Sequence, residues 1–203
     1  MKTRIAIIAA ATVAAIGAWG FGTQAQAATS SITFTMVRSG AAVAANCLPN
    51  AAAKVRVVTH GQTETMTVNA SGLPRNTGFD LFITQLPNAP FGVSWYQSDL
   101  QSGSDGTAAV TVIGRFSVET FAVAPNTGVA PVVHPGIDAA TNPPFAPIHT
   151  FHVGFWFNSP TDAAAAGCAG TVTPFNGEHN AGVQAMSTRN FADTQGPLSQ
   201  LTP

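Results

Sequence analysis

The feature that most constrains this chain is how its apolar residues recur. From Ser31 onward no long segment spaces them at i, i+3, i+4 and i+7, as an amphipathic helix requires. Short alternating or β-branched runs recur instead, separated by Gly, Pro, Asn and Asp. They predict strands over residues 31–38, 54–60, 64–70, 78–85, 107–114, 119–124, 149–157 and 182–187. Many short strands at this spacing indicate an all-β fold, a single-domain antiparallel β-sandwich of Ig-like or jelly-roll-like kind.

Two joints are specified by their turn residues. THGQT at 59–63 reads as a hairpin turn with Gly61 supplying positive φ, and Asp105-Gly106 turns the chain into a strand with Ala108, Val110 and Val112 on one face. In GFDLFITQ, Phe79, Leu81 and Ile83 share one face and Asp80, Phe82 and Thr84 the other. Between residues 125 and 147 stand six prolines, too many for a paired strand, so a long Pro-rich loop is expected there.

The start of the chain reads as a signal peptide. Lys2 and Arg4 precede an apolar run from Ile5 to Gly22, and Ala25-Gln26-Ala27 is a small-x-small cleavage site. Residues 1–27 are therefore expected to be removed, leaving a β-sandwich domain over 28–203, with retention as an anchor the alternative. No later stretch is apolar for long enough to span a bilayer as a helix.

Beyond residue 27 there are six Lys and Arg against nine Asp and Glu, and the basic residues are not clustered. Nucleic-acid binding, which needs clustered cations to displace counterions, is disfavoured. The two cysteines, Cys47 and Cys168, are expected to pair in an exported chain. The bond would close a loop of about 120 residues, a constraint on the order of 4–5 kcal/mol in the chain-entropy model.

Candidate chemistry concentrates in three places. In HTFHVGFWFNSP, residues 149–160, strand alternation puts His149, Phe151, Val153, Phe155 and Phe157 toward the core. His152, Trp156 and Asn158 point the other way and are expected to face solvent and a ligand. In FGVSWYQSDL, residues 91–100, Trp95, Tyr96 and Asp99 give a loop the composition of a sugar- or peptide-binding surface. Together with His152, Trp156 and Asn158 they form the candidate ligand patch. In TPFNGEHNAGVQAM, residues 173–186, Glu178 and His179 would complete a Zn or Cu first shell if folded beside His152. That is the alternative to a protein without a cofactor.

Other chemistries fit less well. A blue-copper loop needs Cys, His and Met close together, and Cys168, His179 and Met186 are too widely spaced. No G-x-S-x-G elbow occurs. Asp80, Asp99, Glu119 and Glu178 are the carboxylates from which a glycosidase-like pair would have to be drawn.

The run VNASGLPRNTGFDLFITQLPNAPFGVSWYQSDLQSGSDGTAAVTV, with FHVGFWFNSP, TPFNGEHNAGVQ and a late Gly-Pro-Leu, resembles a family of secreted bacterial all-β proteins of uncharacterised function. The resemblance implies a signal peptide and an all-β fold, and it brings no catalytic residue. The expectation is an exported binding or envelope protein whose partner is a carbohydrate, an envelope component or another protein. A metal-dependent extracellular enzyme and a structural surface or matrix protein are the alternatives.

Overall fold

The computed structural model describes residues 30–61, 63–116, 149–170, 172–173 and 180–201. The expected leader, the strand at 119–124, the Pro-rich loop, and Glu178 and His179 lie outside these residues.

Among the described residues eight strands form: β1 Ser31–Arg38, β2 Ala52–His60, β3 Thr63–Ser71, β4 Gly78–Thr84, β5 Ser94–Gln101, β6 Ala108–Gly114, β7 His152–Phe157 and β8 Gln184–Ser187. Every pairing is antiparallel. The order across the sheet is β5-β4-β7-β8-β1-β2-β3-β6. Two short helices interrupt it, α1 Gly40–Ala44 and α2 Pro160–Ala165, and a 3-10 turn follows at Pro197–Gln200.

The all-β expectation holds, with one refinement. The strands run as one sheet whose two halves share β1, which pairs with β2 over Ser31–Met36 and with β8 at Val37 and Arg38. The hairpin joining β5 to β6 brings the two ends of this order together at Ser102 and Ala108. The turn residues act as expected. Gly61 and Gly106 both have positive φ, and Asp105 Oδ1 accepts hydrogen bonds from the Thr107 amide and hydroxyl at 2.9 and 2.8 Å.

The core lies between the halves. Val55, Val57, Met66 and Val68 from β2 and β3 meet Phe79, Leu81, Phe155 and Phe157 from β4 and β7. Phe79 is at its centre, with ring centroids 5.4 Å from Phe155 and 5.0 Å from Phe157. Ala108, Val110 and Val112 pack against it from β6, on the face assigned from alternation.

The expected disulfide is present. Cys47 and Cys168 are bonded, with Cα atoms 5.4 Å apart. Each cysteine sits just beyond a short helix, and the two helices end alike. Asn46 and Gly167 adopt positive φ. The amides of Cys47 and Cys168 then reach back to the carbonyls of Ala42 and Ala163 at 3.0 and 2.8 Å. These are the 6→1 bonds of a Schellman cap. The disulfide therefore staples two capped helix ends, one beside β8 and one beside β7.

Candidate ligand-binding face

Strand β4 positions everything at this site, because it lies between β5 and β7. The register sets out one face of the β5–β4–β7–β8 half in rows. Asp99, Asp80 and Trp156 lie opposite one another, with Gln184 beyond Trp156. The next row is Tyr96, Phe82 and Gly154, and the next is Ser94, Thr84 and His152. On the other side of Asp80, Gln101 and Asn158 flank Gly78; a Cβ there would lie 3.5 Å from Asn158 Nδ2 and from Gln101 Oε1. Five of the six patch residues named from sequence, Tyr96, Asp99, His152, Trp156 and Asn158, thus share one face. Trp95 pairs with Ile83 and points to the other side of β5.

Sharing a face does not mean sharing a surface. His152 and Trp156 are fully buried, so the expectation that they face solvent is wrong. Their cover comes from sequence far away. Phe91 packs edge-on against Trp156 at 4.9 Å, and Phe82 does so from β4 at 5.3 Å. The chain after β8 returns across His152, where the Leu198 amide donates to the Phe151 carbonyl at 3.2 Å. A Cβ on Gly196 would lie 2.2 Å from that same carbonyl oxygen, so only glycine lets the two segments meet so closely. The strand β7 has both faces covered, and Asn158, half-buried, lies just beyond its end.

His152 is also committed. Its Nε2 lies 3.1 Å from the Asp193 carbonyl oxygen, which can only accept, so Nε2 carries the proton. Nδ1 then accepts from the Thr188 hydroxyl at 3.0 Å, while that hydroxyl accepts from the Val153 amide at 3.1 Å. Burial holds its pKa below the usual histidine value, partly offset by Asp193. Metal ligation through His152 would break one of these bonds, which weighs against the proposed first shell. Its other members, Glu178 and His179, lie outside the described residues. Among the described residues no three of His, Cys, Asp and Glu converge on a common point.

The exposed part of the face is its β5 edge. Tyr96 is 54% exposed, whereas Phe82 and Trp156 on its side of the sheet are buried, and Trp95, on the other side of β5, is 39% exposed. Tyr96 rests edge-on against Phe82 at 5.7 Å and donates its hydroxyl to Asp99 Oδ1 at 2.7 Å. Desolvation, then the Asp99 carboxylate it bonds and the Asp80 charge beyond, push its pKa up to about 12. Trp95 and Tyr96 border a cleft of about 200 Å3 with Gln97, Arg115, Phe116 and Thr150. Sequence reading found Trp95 and Tyr96 but not Arg115 or Thr150, which flank the long Pro-rich segment and carry no motif.

Asp80 and Asp99 are directly opposed across β4 and β5, so one of the carboxylate pairs weighed from sequence is adjacent. Asp80 is 1% exposed, however, and a substrate could not reach both oxygens. Glu119 and Glu178 lie outside the described residues.

A separate recess of about 780 Å3 opens between α1, the turn around Asn88–Phe91 and the 169–173 segment, with Val183 and Gln184 at its back. No sequence motif marked it. No protein-family model matches the chain, and no curated protein shows significant similarity to it.

Proposed function

We propose that this chain is an exported binding protein that takes a polyhydroxylated ligand, a carbohydrate of the envelope or its surroundings, at the Trp95–Tyr96 cleft. The observation that carries the reading is a pair of large aromatic side chains left exposed on one strand, beside amide, guanidinium and hydroxyl groups. A sugar ring has an apolar face that stacks on an aromatic ring and a rim of hydroxyls that needs fixed polar partners. Gln97, Arg115 and Thr150 supply such partners beside Trp95. The cleft is smaller than most small-molecule pockets, which suits one sugar unit of a longer chain.

Export is supported by the leader-like start, the scarcity of charge and the buried disulfide, a bond that persists in oxidising compartments. No helix of the described residues is long and apolar enough to cross a membrane.

Calorimetric titration with a panel of neutral and acidic oligosaccharides tests the proposal. Trp95→Ala should weaken the best ligand by about tenfold or more, as loss of a central aromatic anchor does, with little change in melting temperature. Trp156→Ala should instead cost about 3–5 kcal/mol of stability, because it empties a packed site. Unchanged affinity in Trp95→Ala would remove the cleft from consideration.

A further inference from the structure

We infer that the recess beside α1 is a second binding site, for a compact, uncharged, largely apolar molecule that carries a carbonyl oxygen. This inference is independent of the sugar-cleft reading. The recess lies across β4 and β7 from the β5 edge and shares no lining residue with the Trp95–Tyr96 cleft. Its volume of about 780 Å3 falls within the range of small-molecule pockets, roughly 300–1,000 Å3.

The walls define the ligand. Helix α1 reads GAAVA and has no polar side chain, yet Ala41 and Ala44 are exposed to the recess and Val43 is 43% exposed. A solvated helix face is ordinarily polar or charged; this one offers only methyl groups. Phe91 forms the facing wall, braced edge-on by Trp156, and Val172 contributes a third apolar side. None of the described lining residues is ionisable, so among them an entering ion would find no countercharge.

Gln184 supplies the polar contact. It is only 4% exposed, lines the recess, and its Nε2 has no hydrogen-bond partner among the described residues. Buried amide donors are nearly always paired, so an idle one on a residue that lines a cavity points to a missing acceptor. The amide is packed over Gly154, where a Cβ would lie 2.6 Å from Nε2 and 2.9 Å from Trp156 Cζ3. Glycine there leaves room for the amide, whose broad terminal torsion has to turn the NH2 group toward the recess when a ligand binds. A ligand with a flat apolar body against Phe91 and one carbonyl oxygen on Gln184 satisfies both demands.

The test uses the intact chain and 6-propionyl-2-(dimethylamino)naphthalene, an uncharged fluorophore with one ketone. Saturable binding of one equivalent with blue-shifted emission is expected. Ala44→Trp, which fills the recess from an exposed helix position, should weaken binding by about tenfold or more, the effect of occluding an anchor pocket. Gln184→Leu should weaken it by about five- to tenfold, the loss of one hydrogen bond, and shift the emission further to the blue. Tyr96→Ala, which lies outside the recess, should leave fluorophore binding unchanged, and melting temperatures identify any variant that fails to fold. Absence of saturable binding, or full affinity in Ala44→Trp, overturns the inference. So does a loss confined to Tyr96→Ala, which would place the fluorophore in the other cleft.

Discussion

At the scale of single residues, the chemistry of this face is decided by what covers it. Strand alternation separated His152 and Trp156 from Val153 and Phe155 correctly, because the period of two is a property of the backbone. It could not tell that Phe91 and the chain around residues 193–198 close over them, since that depends on contacts distant in sequence. Two titrations follow. Tyr96 is the only tyrosine of the chain, so absorbance at alkaline pH should show a single phenol transition near 12. Asp99→Asn should move it down toward the ordinary tyrosine value; an unperturbed transition in the wild type would mean that the Tyr96–Asp99 contact does not persist. His152 acts at the other end of the scale. Its native pKa lies below its unfolded one, so the unfolded chain binds the extra proton first. Its contribution to stability is complete above the ordinary histidine pKa and is lost as pH falls below it. The slope from this one proton is at most about 1.4 kcal/mol per pH unit. Denaturant midpoints measured from pH 7 downward should fall, and fall less steeply in His152→Gln; identical slopes would show that His152 titrates normally.

At the scale of elements, β5 and the two helices are what the sequence concealed. The run Ser94–Gln101 reads as a polar aromatic loop because β5 is irregular. Its register against β4 shifts between Leu81 and Phe82, which breaks the alternation. Helices α1 and α2 are too short to show a helical period, yet their caps are written in the sequence. Ser159-Pro160-Thr161-Asp162 is a helix start with proline in the first turn, and Ser159 Oγ accepts from the Asp162 amide at 3.0 Å. Ser39 does the same for α1, accepting from the Ala42 amide at 3.0 Å. The two caps differ in where the hydroxyl donates: Ser159 to Asp162 Oδ2 within its own helix at 2.9 Å, and the buried Ser39 to the Gln184 carbonyl on β8. Ser159→Ala should therefore cost about 1 kcal/mol, the usual loss for an N-cap. Ser39→Ala should cost about 2–3 kcal/mol, because it also leaves a buried carbonyl without that donor. Equal losses in chemical denaturation would show that the link from α1 to β8 adds nothing.

At the scale of the molecule, fold class and disulfide were legible and strand order was not. Short strands with turn residues between them announce an all-β chain, and two cysteines leave one intramolecular pairing. The hairpins β2–β3 and β5–β6 follow from turns at Gly61 and Gly106. The pairings β3–β6, β4–β7 and β1–β8 join strands that are not consecutive, and nothing local encodes them. Yet those pairings lay Trp156 beneath Phe82, leave Tyr96 at the edge and set α1 beside β8. On the proposed reading, ligand meets the β5 edge and not the buried part of the same face. That reading is tested most directly by amide and side-chain NMR of the labelled protein during titration with the best oligosaccharide. Shifts should be confined to Trp95, Tyr96, Gln97, Arg115 and Thr150, with the Trp156 indole and His152 unmoved. Saturating shifts at Trp156 and His152, with the β5 edge silent, would contradict it.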